Sequence, residues 1–208
     1  MTSTTQNNLD AIKDIRNIME RSSRFISLSG WSGVAAGICA LTGSWVAKSR
    51  IEQYLDAGST GSGCLTCLRD ELVIIAVTVF TGALASAFSF TYIKSKKEGV
   101  ALWGIAARRL LWNTLLPMMA GGVLIWKMIE IGYYDMVAPA TLIFYGLALV
   151  NGSKYTMGEV RYLGYGQIIT GIIALFIVSR GLYAWAFGFG ILHIIYGITM
   201  WWKYERHE

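Results

Sequence analysis

Charge is the scarcest property of this chain. Asp, Glu, Lys and Arg make up 15% of its 208 residues while apolar residues make up 54%, with a mean hydropathy of +0.47; a soluble domain carries roughly a quarter charged residues. An ordinary water-soluble domain is therefore excluded. Proline is nearly missing, at two residues, so long helices can run with few breaks. Three cysteines and two histidines are too few for a disulfide-framed fold, and no loop holds the four ligands of a closed zinc site. Glycine-rich phosphate loops, H-x-x-x-H pairs and serine-nucleophile signatures are all missing, which argues against an enzyme and calls for no metal or cofactor. The net charge of +5 is not a nucleic-acid signal, because the basic residues flank apolar stretches, where they orient a chain in a bilayer and meet anionic lipid.

What the chain does have is six long apolar stretches: Phe25 to Ala47, Leu72 to Ile93, Leu110 to Ile131, Met136 to Asn151, Tyr162 to Ser179 and Leu182 to Trp202. All but the fourth reach or approach the ~20 residues a helix needs to cross the hydrocarbon of a bilayer. The fold expected is all-α, a polytopic transmembrane bundle of six helices. It divides into a polar tail with an amphipathic helix (1–24), a transmembrane domain (25–202) and a short second tail (203–208). The fourth stretch reads as a broken or tilted crossing.

The 18 basic residues fix the expected threading. With the N-terminus cytoplasmic, Lys13, Arg16, Arg21, Arg24, Lys94, Lys96, Lys97, Arg108, Arg109, Lys154, Arg161, Lys203 and Arg206 lie inside, which is 13. Lys48, Arg50, Arg69, Lys127 and Arg180 lie outside, which is 5. Both termini are thus expected in the cytoplasm. Leu9, Ile12, Ile15, Ile18 and Met19 recur at helical spacing behind Asn8, a capping residue, and predict an amphipathic helix in the cytoplasmic interface or docked on a partner. The stretch from Lys48 to Glu71 reads as the one sizeable outer loop, flexible at its Gly58–Gly63 core. Residues 100–109 read as a surface helix that bends into the third span near Arg108 and Arg109.

Small residues recur at matching spacings in the two halves: Gly37 and Gly43-Ser44 against Gly146 and Gly152-Ser153, Thr81-Gly82 against Thr170-Gly171, Gly121 against Gly197. A duplication of three spans would give an inverted 3+3 repeat, the arrangement that puts a site at the midplane in many transporters; chance matches among 23 glycines are the competing explanation.

Polar residues inside the spans carry the functional expectation, since they are costly to leave facing lipid. His193 shares a helix face with Ala186, Gly190 and Gly197. Gln167 lies with Gly164, Gly171 and Ala174, and Asn113 with Pro117, Ala120 and Gly121. These three are the candidate ligand-binding residues, either lining a midplane cavity, with His193 titratable, or serving as interhelical hydrogen-bonding groups. Cys64 and Cys67 form a C-x-x-C suited to a disulfide, a redox pair or half a metal site. Most aromatics, such as Trp45, Trp112, Trp126, Trp201 and Trp202, fit an interfacial belt. Tyr183, Trp185, Phe187 and Phe189 are the alternative members of an aromatic cage.

The run Ile12-Lys-Asp-Ile-Arg-Asn-Ile-Met-Glu-Arg-Ser-Ser-Arg-Phe-Ile-Ser-Leu-Ser-Gly-Trp-Ser-Gly-Val-Ala-Ala-Gly37 resembles the opening of a family of small six-span bacterial membrane proteins. The resemblance covers this opening and the hydropathy only. It implies a bacterial inner membrane and supplies neither an activity nor site residues. The sequence thus predicts an integral membrane protein that binds or moves a small solute or ion at the midplane, in contact with lipid. The alternative is a non-transporting subunit or regulator acting through a membrane protein partner or a second copy of itself. A thiol enzyme built on Cys64 and Cys67 is a third reading.

Overall fold

The computed structural model describes residues 29–59, 63–98, 103–177 and 180–206. The amphipathic helix expected before residue 25 lies outside the described residues. Among those described the chain is all-α. Its helices are α1 (Gly30–Ser59), α2 (Leu65–Glu98), α3 (Ile105–Glu130), α4 (Tyr134–Tyr155), α5 (Glu159–Phe176) and α6 (Gly181–Glu205), with no strand. Three of them, α2, α4 and α6, are long and apolar enough to cross a membrane. The other three are diluted by charge or small polar groups: α3 carries Arg108 and Arg109 near its start, and α5 carries Glu159 and Arg161.

The short fourth stretch becomes a full-length helix by extension at both ends. Its α-helical centre, Val137–Gly152, is flanked by 3-10 turns at Tyr134–Met136 and Ser153–Tyr155, giving 22 residues in all. At Lys48 to Glu71 helix replaces most of the expected outer loop on either side of its glycine-rich core, because α1 continues to Ser59 and α2 starts at Leu65. The charged residues there pair along and between the helices, Lys48 with Glu52 at 3.6 Å and Arg50 with Glu71 at 3.8 Å. With 30 and 34 residues, α1 and α2 extend about 45 and 51 Å, well beyond a hydrocarbon layer of about 30 Å. In the third region the helix starts at Ile105 and passes through Arg108 and Arg109 without interruption.

The helices pack as a row. α2 leans on α1, α1 on α6, α6 on α5 and on α4, and α3 closes the row against α4. α6 is the centre, and glycine sets its distance from α1. A Cβ on Gly197 would stand 2.6 Å from both Gly30 O and Val34 N, and one on Gly37 would stand 2.7 Å from Gly190 O. Between α4 and α5 a Cβ on Gly146 would meet Gly164 O at 2.7 Å. Such close approach is how helices gain dispersion contacts in lipid, where hydrophobic burial between helices gives little. The most buried side chains, Leu142, Met200 and Gln167, lie on α4, α6 and α5, so the core sits where those three helices meet.

One end of the row is closed by ion pairs. Glu205 Oε1 accepts the Gly30 backbone N–H at 2.8 Å and pairs with Lys94 Nζ at 3.0 Å, joining α1, α2 and α6 in a nearly buried contact. The carboxylate there also meets the positive end of the α1 dipole.

Candidate functional site

Three side chains from the middles of three helices meet in the core. His193 lies 12 residues from either end of α6 (193 − 181 and 205 − 193), Tyr145 lies 11 and 10 residues from the ends of α4, and Gln167 lies 8 and 9 from those of α5. All three therefore sit at mid-height. The local sequence of α6 explains how they connect. Ala186–Leu192 winds as a π-helix, with two glycines, Gly188 and Gly190, buried in it, and π-turns widen a helix and redirect its carbonyls. The Gly188 carbonyl accepts from Gln167 Nε2 at 2.7 Å and lies 3.2 Å from His193 Nδ1. A Cβ on Gly188 would lie 2.4 Å from Leu142 Cδ2 and 2.6 Å from Gln167 Oε1, so a side chain there would have to displace both side-chain ends.

The imidazole is contacted at both nitrogens. Tyr145 Oη lies 2.9 Å from His193 Nε2, and Gln167 Nε2 lies 3.3 Å from Nδ1. Two neutral tautomers fit this frame. In one, Nδ1–H donates to Gly188 O while Nε2 accepts the Tyr145 hydroxyl. In the other, Nδ1 accepts from the second Gln167 amide hydrogen and Nε2–H donates to Tyr145 Oη. Each form leaves a single donor unpaired, on Gln167 in the first and on Tyr145 in the second. The walls are aromatic: Phe189 stacks on His193 with ring centroids 5.9 Å apart, and Tyr145 and Trp185 flank Phe189 at 5.0 and 4.9 Å.

Two polar atoms remain buried with no hydrogen-bond partner among the described residues, Gln167 Oε1 and Tyr196 Oη. Such groups cost on the order of 1–3 kcal/mol each. Tyr196 is one turn beyond His193 toward the ion-paired end. Glu159, at the start of α5, accepts hydrogen bonds from Lys203 Nζ and, at 2.9 Å, Tyr204 Oη. Partial burial disfavours its charge, but these donors outweigh that and hold its carboxyl below the ordinary value.

Of the sequence candidates, His193 and Gln167 come together and Asn113 stands apart. Asn113 Nδ2 donates to Arg109 O at 2.8 Å, and Asn113 O accepts from Asn151 Nδ2 at 2.8 Å, so it clamps α3 to α4. Trp185 and Phe189 join the site, whereas Tyr183 and Phe187 are exposed. Tyr145 joins His193 and Gln167 from outside the sequence candidates, and its signal is that a tyrosine at the middle of a span does not fit an interfacial belt. Cys64 and Cys67 form a disulfide with a Cα–Cα distance of 5.3 Å. No cluster of metal-ligating side chains occurs among the described residues. No protein-family model, curated protein or solved structure matches the chain, so the resemblance at residues 12–37 brings no family assignment.

Proposed function

We propose that this is a six-span membrane protein, with both termini in the cytoplasm, that carries a proton through mid-bilayer on a histidine–tyrosine pair. The observation that carries the reading is the frame around His193, in which both neutral tautomers find partners on Tyr145, Gln167 and Gly188. His193 can exchange a proton with Tyr145 at Nε2, whereas Nδ1 faces the Gly188 carbonyl and the Gln167 amide, which do not take a proton, so onward release calls for a turn of the ring or an entering water. Intramembrane ionisable groups facing a bundle interior are the usual elements of such relays. Tyr196 Oη, one turn along α6 and without a hydrogen-bond partner among the described residues, and Glu159 at the start of α5 are the groups we propose as the extension toward the end that the excess of basic residues makes cytoplasmic.

The experiment is proton flux in liposomes holding the purified protein, with an entrapped pH dye and an imposed potassium diffusion potential. Wild-type protein acidifies or alkalises the lumen according to the sign of the potential. Tyr145→Phe and His193→Phe lower the initial rate at least about tenfold, the scale of losing a positioned proton-transfer group, with helical content unchanged. Equal rates in all three proteins and in empty liposomes contradict the reading.

A non-transporting subunit is the second reading, and α2 favours it. None of the most apolar 18-residue window of α2 is buried, and a Cβ at Gly82 would meet nothing. Purification from native membrane with no stoichiometric partner counts against it.

A further inference from the structure

The tip where α1 meets α2 carries chemistry that the mid-bilayer site does not use. Cys64 is the N-cap of α2, since its carbonyl accepts the first helical bond from Leu68 N at 3.1 Å. Its sulfur takes the place of a capping side chain, with the Cys67 backbone N–H donating to Cys64 Sγ at 3.2 Å and Thr66 Oγ1 lying at 3.3 Å. The Cys64–Cys67 bond closes a loop within a single helical turn and ties no second element into the fold, so a cross-linking role does not explain it. Both cysteines are exposed. The platform beneath is held by the Arg50–Glu71 pair between the two helices, and the adjacent Asp70 is engaged by Arg69 at 2.8 Å.

We propose that Cys64–Cys67 is an exchangeable disulfide that accepts two electrons from thiols on the side of the membrane that the α1–α2 tip faces. A disulfide sulfur is a poor acceptor for the helix N-terminal N–H groups, and a thiolate is a strong one, so reduction improves the cap of α2. The incoming thiolate attacks Cys64 Sγ, the S–S bond breaks, and Cys67 leaves as the thiolate and takes a proton. A second thiol of the donor then attacks the donor sulfur in the mixed disulfide and releases the Cys64 thiolate onto the α2 N-terminus. The donor leaves oxidised to its disulfide, and the protein holds two reduced cysteines.

The test uses the full chain in detergent and two probes. In a buffer of reduced and oxidised glutathione, mass analysis after acid quench and alkylation reads the fraction of Cys64–Cys67 that opens, while circular dichroism reports the helices. Opening with full helical content is the expected result, and a bond that opens only on unfolding overturns the proposal. In the second arm iodoacetamide is applied at about pH 7 to the single-site variants Cys67→Ser and Cys64→Ser. Cys64 in the first reacts about tenfold faster than Cys67 in the second, as expected for a thiol whose pKa is lowered at a helix N-terminus. Equal rates, or faster reaction at Cys67, overturn the assignment of Cys64 as the sulfur that meets the donor.

Discussion

At the residue scale, the balance around Gln167 decides what the core tolerates. Its amide nitrogen satisfies the Gly188 carbonyl, while its oxygen is buried without a donor. Gln167→Met keeps the length of the side chain, removes the orphaned oxygen and gives up the bond to Gly188 O and the longer contact with His193 Nδ1, so thermal unfolding in detergent should show a loss of no more than about 1–2 kcal/mol. Gln167→Ala opens a cavity in the most buried part of the molecule and should cost about 2 kcal/mol or more. A Met variant as damaged as the Ala variant would mean that the oxygen has a partner. Tyr145→Phe tests a different bond: model systems put interhelical hydrogen bonds in membranes at roughly 0.6–2 kcal/mol, so the variant should stay folded while its proton flux falls. His193 and Gln167 were legible from sequence because each shares a face with glycines, and small-residue faces point into a bundle. Tyr145 was legible only in part: its mid-span position sets it apart from an interfacial belt, but nothing in its own stretch reveals which helix it will face, and the π-turn that turns Gly188 toward Gln167 depends on packing that sequence spacing does not encode.

At the element scale, glycine governs the α1–α6 contact and is idle on α2. Gly197→Ala drives a methyl group into the backbone of Gly30 and Val34 and should destabilise by about 1–3 kcal/mol, the usual cost of overpacking. Gly82→Ala meets open space and should be neutral or stabilising by up to about 1 kcal/mol through helix propensity. Unfolding midpoints of the two variants, compared side by side, check this contrast. The ends of α5 and α6 give a pH dependence. The carboxyl of Glu159 is held below its ordinary value by Lys203 and Tyr204, so its contribution is complete above the unfolded carboxylate range and is lost as pH falls through the lowered value. Glu159→Gln should remove that acid-sensitive step from a stability profile, and an unchanged profile would show that the pair contributes nothing. The six helices among the described residues were legible from sequence because apolar length is a strong signal. Their ends were not: 3-10 turns complete α4, and ion pairs along Lys48 to Glu71 carry helix into a segment whose glycines and serines suggested a loop.

At the scale of the whole molecule, the ion-paired end and the disulfide tip lie at opposite ends of α1, and the two should face opposite compartments. After reduction in sealed cells or vesicles, a membrane-impermeant maleimide should label Cys64 and Cys67 from the outside, and tags at both termini should be shielded from outside protease. Labelling only after the membrane is opened would reverse the threading. The small-residue matches between halves do not extend to the polar site. Tyr145, Gln167 and His193 all belong to α4, α5 and α6, and the positions matched to them by the spacings of Gly37 with Gly146, Thr81 with Thr170 and Gly121 with Gly197 are Ala36, Thr78 and Pro117. Even with a duplication behind the fold, the cluster of Tyr145, Gln167 and His193 belongs to the second half alone.

On the proposed function the His193 imidazole exchanges its proton between two nitrogens on a tyrosine-bound frame. The chain has only one other histidine, His207, so a His207→Asn variant labelled with 15N-histidine in lipid bilayers reports His193 by itself. Solid-state NMR should show both neutral tautomers in exchange, collapsing to one in the added presence of Tyr145→Phe. A single tautomer in the parent variant, unchanged by Tyr145→Phe, would contradict the account.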